Sequence, residues 1–191
     1  ITTNADHALS VYAADVDGDG DMDVLSASAF DKKIAWYRND GSGNFGSQIV
    51  ITTAVAGATS VYAADIDGDG DMDVLSASEN DAKIAWYQND GNGNFGSQQI
   101  ITTAADYASS VYAVDFDSDG DMDVLSSSSF DDKIAWYENN GSGGFGVQQV
   151  ITIADGGDYV YPADVDGDGN VDVLFANGFD MIAWSRNDGN G

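Results

Sequence analysis

Four short stretches of the chain alternate aspartate with small or apolar residues. The first is Asp15-Val16-Asp17-Gly18-Asp19-Gly20-Asp21-Met22-Asp23. The pattern recurs as Asp65, Asp67, Asp69, Asp71 and Asp73, and again as Asp115, Asp117, Asp119, Asp121 and Asp123. The fourth copy carries Asp164, Asp166, Asp168, Asn170 and Asp172. Carboxylates at every second position repel one another and cannot enter a core unless a positive charge sits among them. A hard divalent cation that takes many oxygen ligands meets that need, and calcium is the first candidate.

Numbered from its first aspartate, each loop places carboxylates at positions 1, 3, 5 and 9. Those four are expected to bind through their side chains, and position 7 through its backbone carbonyl. With one water they supply about six or seven oxygens, which suits calcium. Magnesium dehydrates reluctantly and demands stricter octahedral geometry. Zinc normally takes histidine or cysteine, and the chain has one histidine, His7, and no cysteine. Position 6 is Gly20 in the first loop, where the sharp turn leaves no room for a Cβ. An EF-hand opens in the same way but needs a bidentate glutamate at position 12 and flanking helices. Position 12 here is Ser26, Ser76, Ser126 and Phe175, and the flanks read as strands. Position 9 therefore becomes the closing carboxylate of a β-hairpin site. The expected load is about one calcium per loop, four in total. Asn170 falls at position 7, where only the backbone is asked to bind. Ser118 replaces glycine at position 4 and is expected to be harmless.

The elements that hold these loops repeat with them. The units are 1–50, 51–100, 101–150 and 151–191, and together they are read as one domain, 1–191. In the first unit the expected strands are Ser10 to Ala14, Met22 to Ser28, Lys33 to Arg38 and Phe45 to Thr52. β-branched and aromatic residues fill them, and Asn39-Asp40-Gly41-Ser42-Gly43-Asn44 is a dense turn cluster. Four antiparallel strands in a repeat of about 50 residues is the signature of a propeller blade. The fold class is all-β, a β-propeller of four near-identical blades, either four-bladed or part of a larger seven- to eight-bladed ring. The chain starts at Ile1 without methionine and reads as a mature segment or an excised piece. The last unit lacks its fourth strand, and an unpaired blade edge invites association. A larger propeller is the expectation, with self-association to complete it as another route.

At Ala14 to Leu25 the chain resembles the FG-GAP/VCBS repeat family, which includes the propeller heads of integrin α subunits. Asn39-Asp40-Gly41-Ser42-Gly43-Asn44-Phe45 is similar to the Asn-Asp-Gly-x-Gly-x-Phe end of VCBS-type units. The resemblance covers all four units. It implies radial blades with calcium in the hairpin between the first two strands of each. Ser26-Ala27-Ser28 stands where integrin units carry Gly-Ala-Pro, which removes the basis for an integrin-like ligand surface.

Composition narrows the function. There are 33 acidic and 6 basic residues, a net charge of −27, and 19 of the acids lie in the four loops. With no basic patch, binding to nucleic acid or an anionic bilayer is excluded. No apolar run reaches the length of a membrane span. One unrepeated histidine allows no Ser/His/Asp arrangement, and the carboxylates cluster as ligands, so no enzyme is expected. Trp36, Trp86, Trp136 and Trp184 recur, as do Tyr12, Tyr62, Tyr112 and Tyr161. Packing between blades is the expectation for both sets, and a ring of sugar-stacking platforms is the other reading. The expected function is a non-enzymatic, extracellular or cell-surface, calcium-binding scaffold for adhesion or recognition, with a protein or glycan ligand. A multivalent lectin and a structural part of a larger assembly are the alternatives.

Overall fold

The computed structural model describes residues 1–178 and 180–191. They form four antiparallel sheets, each a simple meander in chain order. The first contains β1 (Ala8–Ala14), β2 (Asp23–Ser28), β3 (Lys33–Tyr37) and β4 (Ile49–Thr52). The second contains β5 (Ala58–Ala64), β6 (Asp73–Ser78), β7 (Lys83–Tyr87) and β8 (Gln99–Thr102). The third contains β9 (Ala108–Val114), β10 (Asp123–Ser128), β11 (Lys133–Tyr137) and β12 (Gln149–Ile153). The fourth has three strands, β13 (Gly157–Ala163), β14 (Asp172–Asn177) and β15 (Ile182–Ser185). The chain is therefore all-β and built of blades in series.

The second strand of the first blade opens one residue later than the sequence reading, at Asp23, the third closes one earlier, at Tyr37, and two boundaries differ by more. The first strand begins earlier, at Ala8, because Ala8 pairs with Ser28 across a register shift before Ser10. The fourth strand begins later, at Ile49, opposite Trp36. Phe45 makes only an isolated bridge to Asn39 that closes the turn. The Gln48 side chain then points inward, donating to Tyr37 Oη at 2.7 Å and accepting from Lys33 Nζ at 3.0 Å. Residues 46–48 serve that network and do not extend the ladder.

The apolar core lies between blades and not within them. One cluster joins Val16, Leu25, Ile34 and Trp36 of the first blade to Val61, Ala63, Val74 and Tyr87 of the second. The same grouping recurs between the second and third blades and between the third and fourth. An inner sheet is thus covered on both faces, and β6 is buried at every residue. This explains why β2 and β6 read Asp-Val-Leu-Ser-Ala-Ser, and β10 Asp-Val-Leu-Ser-Ser-Ser, and do not alternate apolar with charged residues. Their serines are buried with partners: Ser26 Oγ lies 3.4 Å from Tyr37 Oη, and Ser28 Oγ donates to Asp31 Oδ1 at 2.6 Å.

The innermost strands β1, β5, β9 and β13 pack in sequence, each on the next. Tyr12, Tyr62, Tyr112 and Tyr161 form a ladder along them, with ring centroids 4.4, 5.1 and 5.6 Å apart. The series does not end in a closed ring: Val11 on the first blade is 71% exposed and Trp184 on the last is 42% exposed.

Candidate metal centres

Each acidic loop joins the first strand of a blade to the second, as β1 to β2. Its shape is set by aspartate side chains that cap backbone donors. Gly20 N–H donates to Asp15 Oδ2 at 3.0 Å, and the matching glycines do the same to Asp65, Asp115 and Asp164. A Cβ at these position 6 glycines would meet nothing within 4 Å, so crowding is not the reason for glycine there; their φ lies between 92° and 100°, a region that L-residues avoid. Asp21 N–H donates to Asp19 Oδ1, and that bond too recurs in all four loops.

Three carboxylates converge in each loop, with oxygens within 4.8 Å of one another. The groups are Asp65, Asp67 and Asp73; Asp115, Asp117 and Asp123; and Asp164, Asp166 and Asp172. In the first blade the group is Asp15, Asp17 and Asp19. Asp69, Asp119 and Asp168 at position 5, and Asp23 at position 9 of the first loop, lie just outside these groups. The position 7 side chains turn away. Asp21, Asp71 and Asp121 lie over Gly41, Gly91 and Gly141, and Asn170 lies over Gly189.

The donor set has the chemistry of a cation site. Asp15 Oδ1, Asp17 Oδ1, Asp67 Oδ1 and Asp115 Oδ1 are buried without a hydrogen-bond partner. Leaving such an oxygen dry and unpaired is costly. They are an all-oxygen, carboxylate-rich donor set, which fits calcium among the common ions. Bound there, a divalent ion would offset two of the cluster's negative charges and tie the two strands together.

Position 9 does a second job. Asp73 is fully buried, and both of its oxygens accept from backbone: Oδ2 from Ile66 N–H at 3.1 Å and Oδ1 from Asn89 N–H at 2.8 Å. Burial pushes its carboxyl up to about 7, against the opposing pull of those two bonds, and Asp67 and Asp69 add to the rise. Burial likewise raises Asp123 to about 6, and it raises Asp23.

Two features were not anticipated from the sequence. The first is a basic partner in two of the loops. Arg38 spans Asp17 and Asp19 at 2.8 and 2.9 Å, and Arg186 spans Asp166 and Asp168 at 2.7 and 2.8 Å. Gln88 and Glu138 hold the same place in the middle blades, so the repeat hid a charge difference between sites.

The second is a clamp from the following blade. Asn89 Nδ2 donates to the Val16 carbonyl, at loop position 2 of the blade before, at 2.7 Å. Asn139 holds the Ile66 carbonyl and Asn187 the Phe116 carbonyl in the same manner. The signal was the recurrent Asn-Asp-Gly turn, whose asparagine reads locally as turn chemistry alone.

Ser118 also differs from its expectation. It sits at φ 66°, so this serine is held where glycine is favoured and is not neutral. Trp36, Trp86 and Trp136 are 3–4% exposed and present no ring face to solvent.

Comparison with known proteins agrees with this architecture. The profile of the FG-GAP-like repeat family matches residues 15–76, 66–126 and 124–175. Among curated proteins nothing matches the sequence. Among solved structures, a lectin of Agrocybe aegerita, described as recognising non-reducing terminal N-acetylglucosamine, is similar at a TM-score of 0.67 and 22% identity. That match covers 94% of this chain and 48% of the lectin, so the chain spans about half the lectin's length. The Tc holotoxin pore of Photorhabdus luminescens is similar at a TM-score of 0.53 and 20% identity, over 93% of this chain and 9% of the toxin chain. At these identities the likeness is one of fold.

Proposed function

The chain belongs to the FG-GAP-like repeat family, and from that premise we propose that it is a calcium-stabilised β-propeller module. It works as an extracellular recognition or adhesion scaffold and not as an enzyme. The observation that carries this reading is the convergence of three carboxylates in every loop, with buried, unpartnered oxygens at position 1 or 3 of the first three loops. Positions 1, 3 and 5 of each loop, with Asp23, Asp73, Asp123 and Asp172, would hold about one calcium per blade. The carbonyls of Asp21, Asp71, Asp121 and Asn170 would complete the shell. Extracellular calcium-binding modules are weak binders matched to their surroundings, and a chain without cysteine gains its cross-links from such ions.

The test is calcium titration of the chelator-treated protein by calorimetry, with thermal melts in parallel. A site filled at 100 times its dissociation constant adds about 2.7 kcal/mol, so calcium should raise the melting temperature and chelator should lower it again. Melts that coincide in calcium and in chelator would overturn the reading.

Glycan binding is the form of recognition with a specific observation behind it. An open cleft of 320 Å³ near the inner strands is lined by Thr59, Ser60, Ser109 and Ser110, by Glu79 and Asp158, and by Tyr107 and Tyr159. Tyr159 is 70% exposed. Hydroxyls, carboxylates and aromatic faces are the groups that bind polyols. A glycan array in calcium, read for wild type against Tyr159→Ala, tests it; no binding would leave the scaffold reading with protein ligands.

A further inference from the structure

The four acidic loops are near copies, and what separates them is the charge that one neighbouring residue brings. Arg38, Gln88, Glu138 and Arg186 directly follow β3, β7, β11 and β15. The backbone is held alike in the first three: Gly46, Gly96 and Gly146 N–H donate to the carbonyls of Arg38, Gln88 and Glu138, each at 2.8 Å. The side chains differ. Arg38 Nε lies 2.8 Å from Asp17 Oδ2 and its Nη2 lies 2.9 Å from Asp19 Oδ2. Arg186 makes the same fork on Asp166 and Asp168. Gln88 Nε2 donates to Asp67 Oδ2 at 2.5 Å and brings no charge. Glu138 adds a carboxylate, near enough for its charge to act on Asp117.

The guanidinium does not fill the first site. Asp17 has a side chain only 7% exposed, and while its Oδ2 holds Arg38 its Oδ1 stays buried without a hydrogen-bond partner. Asp15 Oδ1 is in the same state, and oxygens of Asp15, Asp17 and Asp19 converge within 4.8 Å. An ion and the guanidinium can therefore share Asp17, one on each oxygen. They then repel each other across that carboxylate. When no ion is bound, the same guanidinium offsets the mutual repulsion of the loop's acids. Both arginines are more than half exposed, so solvent screens the effect without removing it. Across such a distance, one unit of charge beside a doubly charged ion changes its affinity roughly tenfold.

We propose, resting on the calcium reading, that this one position grades the four sites. Arg38 and Arg186 are resident counter-charges: they hold the first and fourth loops together without metal and lower their affinity for calcium. The third loop, with Glu138, fills first, the second next, and the first and fourth last.

The test follows the loops one by one in the whole chain. The amide signals of Gly20, Gly70, Gly120 and Gly169, at position 6 of each loop, report calcium filling separately in an NMR titration of the chelator-treated protein. Gly120 should shift at the lowest calcium, then Gly70, then Gly20 and Gly169. Arg38→Gln, which installs the residue of the second unit, should bring the Gly20 midpoint down roughly tenfold and leave that of Gly120 in place. Arg186→Gln should do the same for Gly169, and Glu138→Gln should raise the Gly120 midpoint toward that of Gly70. Thermal melts separate this role from a merely structural one. Arg38→Gln should lower the melting temperature in chelator and recover it in saturating calcium, whereas a lost structural ion pair would lower both. Calcium shifts at all four glycines whose midpoints do not move in the arginine variants would overturn the grading and leave the calcium reading standing. Glycine signals that ignore calcium altogether would overturn both.

Discussion

Asn89 offers the sharpest test of how the blades hold the acidic loops. Its Nδ2 donates to the Val16 carbonyl at 2.7 Å and the Met72 carbonyl at 3.0 Å, and its Oδ1 accepts from Gly93 N–H at 3.1 Å. The residue is buried. Asn39 makes the same two bonds within its own blade, to Met22 at 3.0 Å and from Gly43 at 3.2 Å, but it lacks the bond to a preceding blade and lies nearer solvent. Removing Asn39 loses bonds that water can replace and should cost about 1 kcal/mol. Asn89→Ala strands the buried Val16 and Met72 carbonyls, at about 1–3 kcal/mol each, so a total near 3–4 kcal/mol is expected. Asn89→Asp keeps the volume but puts a carboxylate, which cannot donate, against two carbonyls. It should cost at least as much as alanine. Urea denaturation in saturating calcium measures all three variants, with fluorescence and circular dichroism compared to check that the repeat array unfolds in one step. Equal losses for Asn39→Ala and Asn89→Ala would refute the clamp. A well-tolerated Asn89→Asp would show that filled volume, and not donation across the blades, is what matters.

Three further outcomes are expected. Asp67→Asn should weaken calcium binding at the second loop by roughly two orders of magnitude, since affinity follows ligand charge. Asp71→Asn should leave it nearly unchanged, because that side chain lies over Gly91 outside the cluster; calorimetry separates the two. Ser118→Gly should stabilise the protein by about 1 kcal/mol by relieving a left-handed backbone, read as a shift in the urea midpoint. The calcium-free protein should lose stability as pH rises from about 5 to 7. Asp73 and Asp123 titrate near 7 and 6 when folded but near 3.8 when unfolded, so the folded state binds more protons across that window. Melting in chelator at pH 5 and pH 8 checks the sign, and saturating calcium, by holding the carboxylates ionised, should abolish the fall.

The acidic loops were legible because their carboxylates are neighbours in sequence. Alternating aspartates around a glycine state the charge problem within nine positions, and the missing acid at position 12 removes the helical alternative. Blade architecture was legible for a related reason: a meander pairs each strand with the next, so local order gives the sheet. The same locality hid what happens between blades. Nothing near Asn89 shows that it reaches a carbonyl 73 residues earlier. Nor does the repeat show that Arg38 and Arg186 lie across the first and fourth loops while Gln88 and Glu138 occupy that place in the others.

The turn glycines show how a local and a distant cause coincide at one residue. Asn-Asp-Gly-x-Gly reads as turn chemistry, and Gly93 does adopt a φ of 76°. That alone would let asparagine or aspartate serve in its place. The ring of Trp36 from the preceding blade lies where a Cβ would project, which excludes every side chain and not only the branched ones. Trp36 in turn is buried because that glycine admits it. The repeated tryptophan and the repeated glycine, seven residues apart in each unit, are therefore the two halves of one contact between units. Reading either alone gives a sugar platform or a loop. Read together across units, they give the surface on which one blade recognises the next.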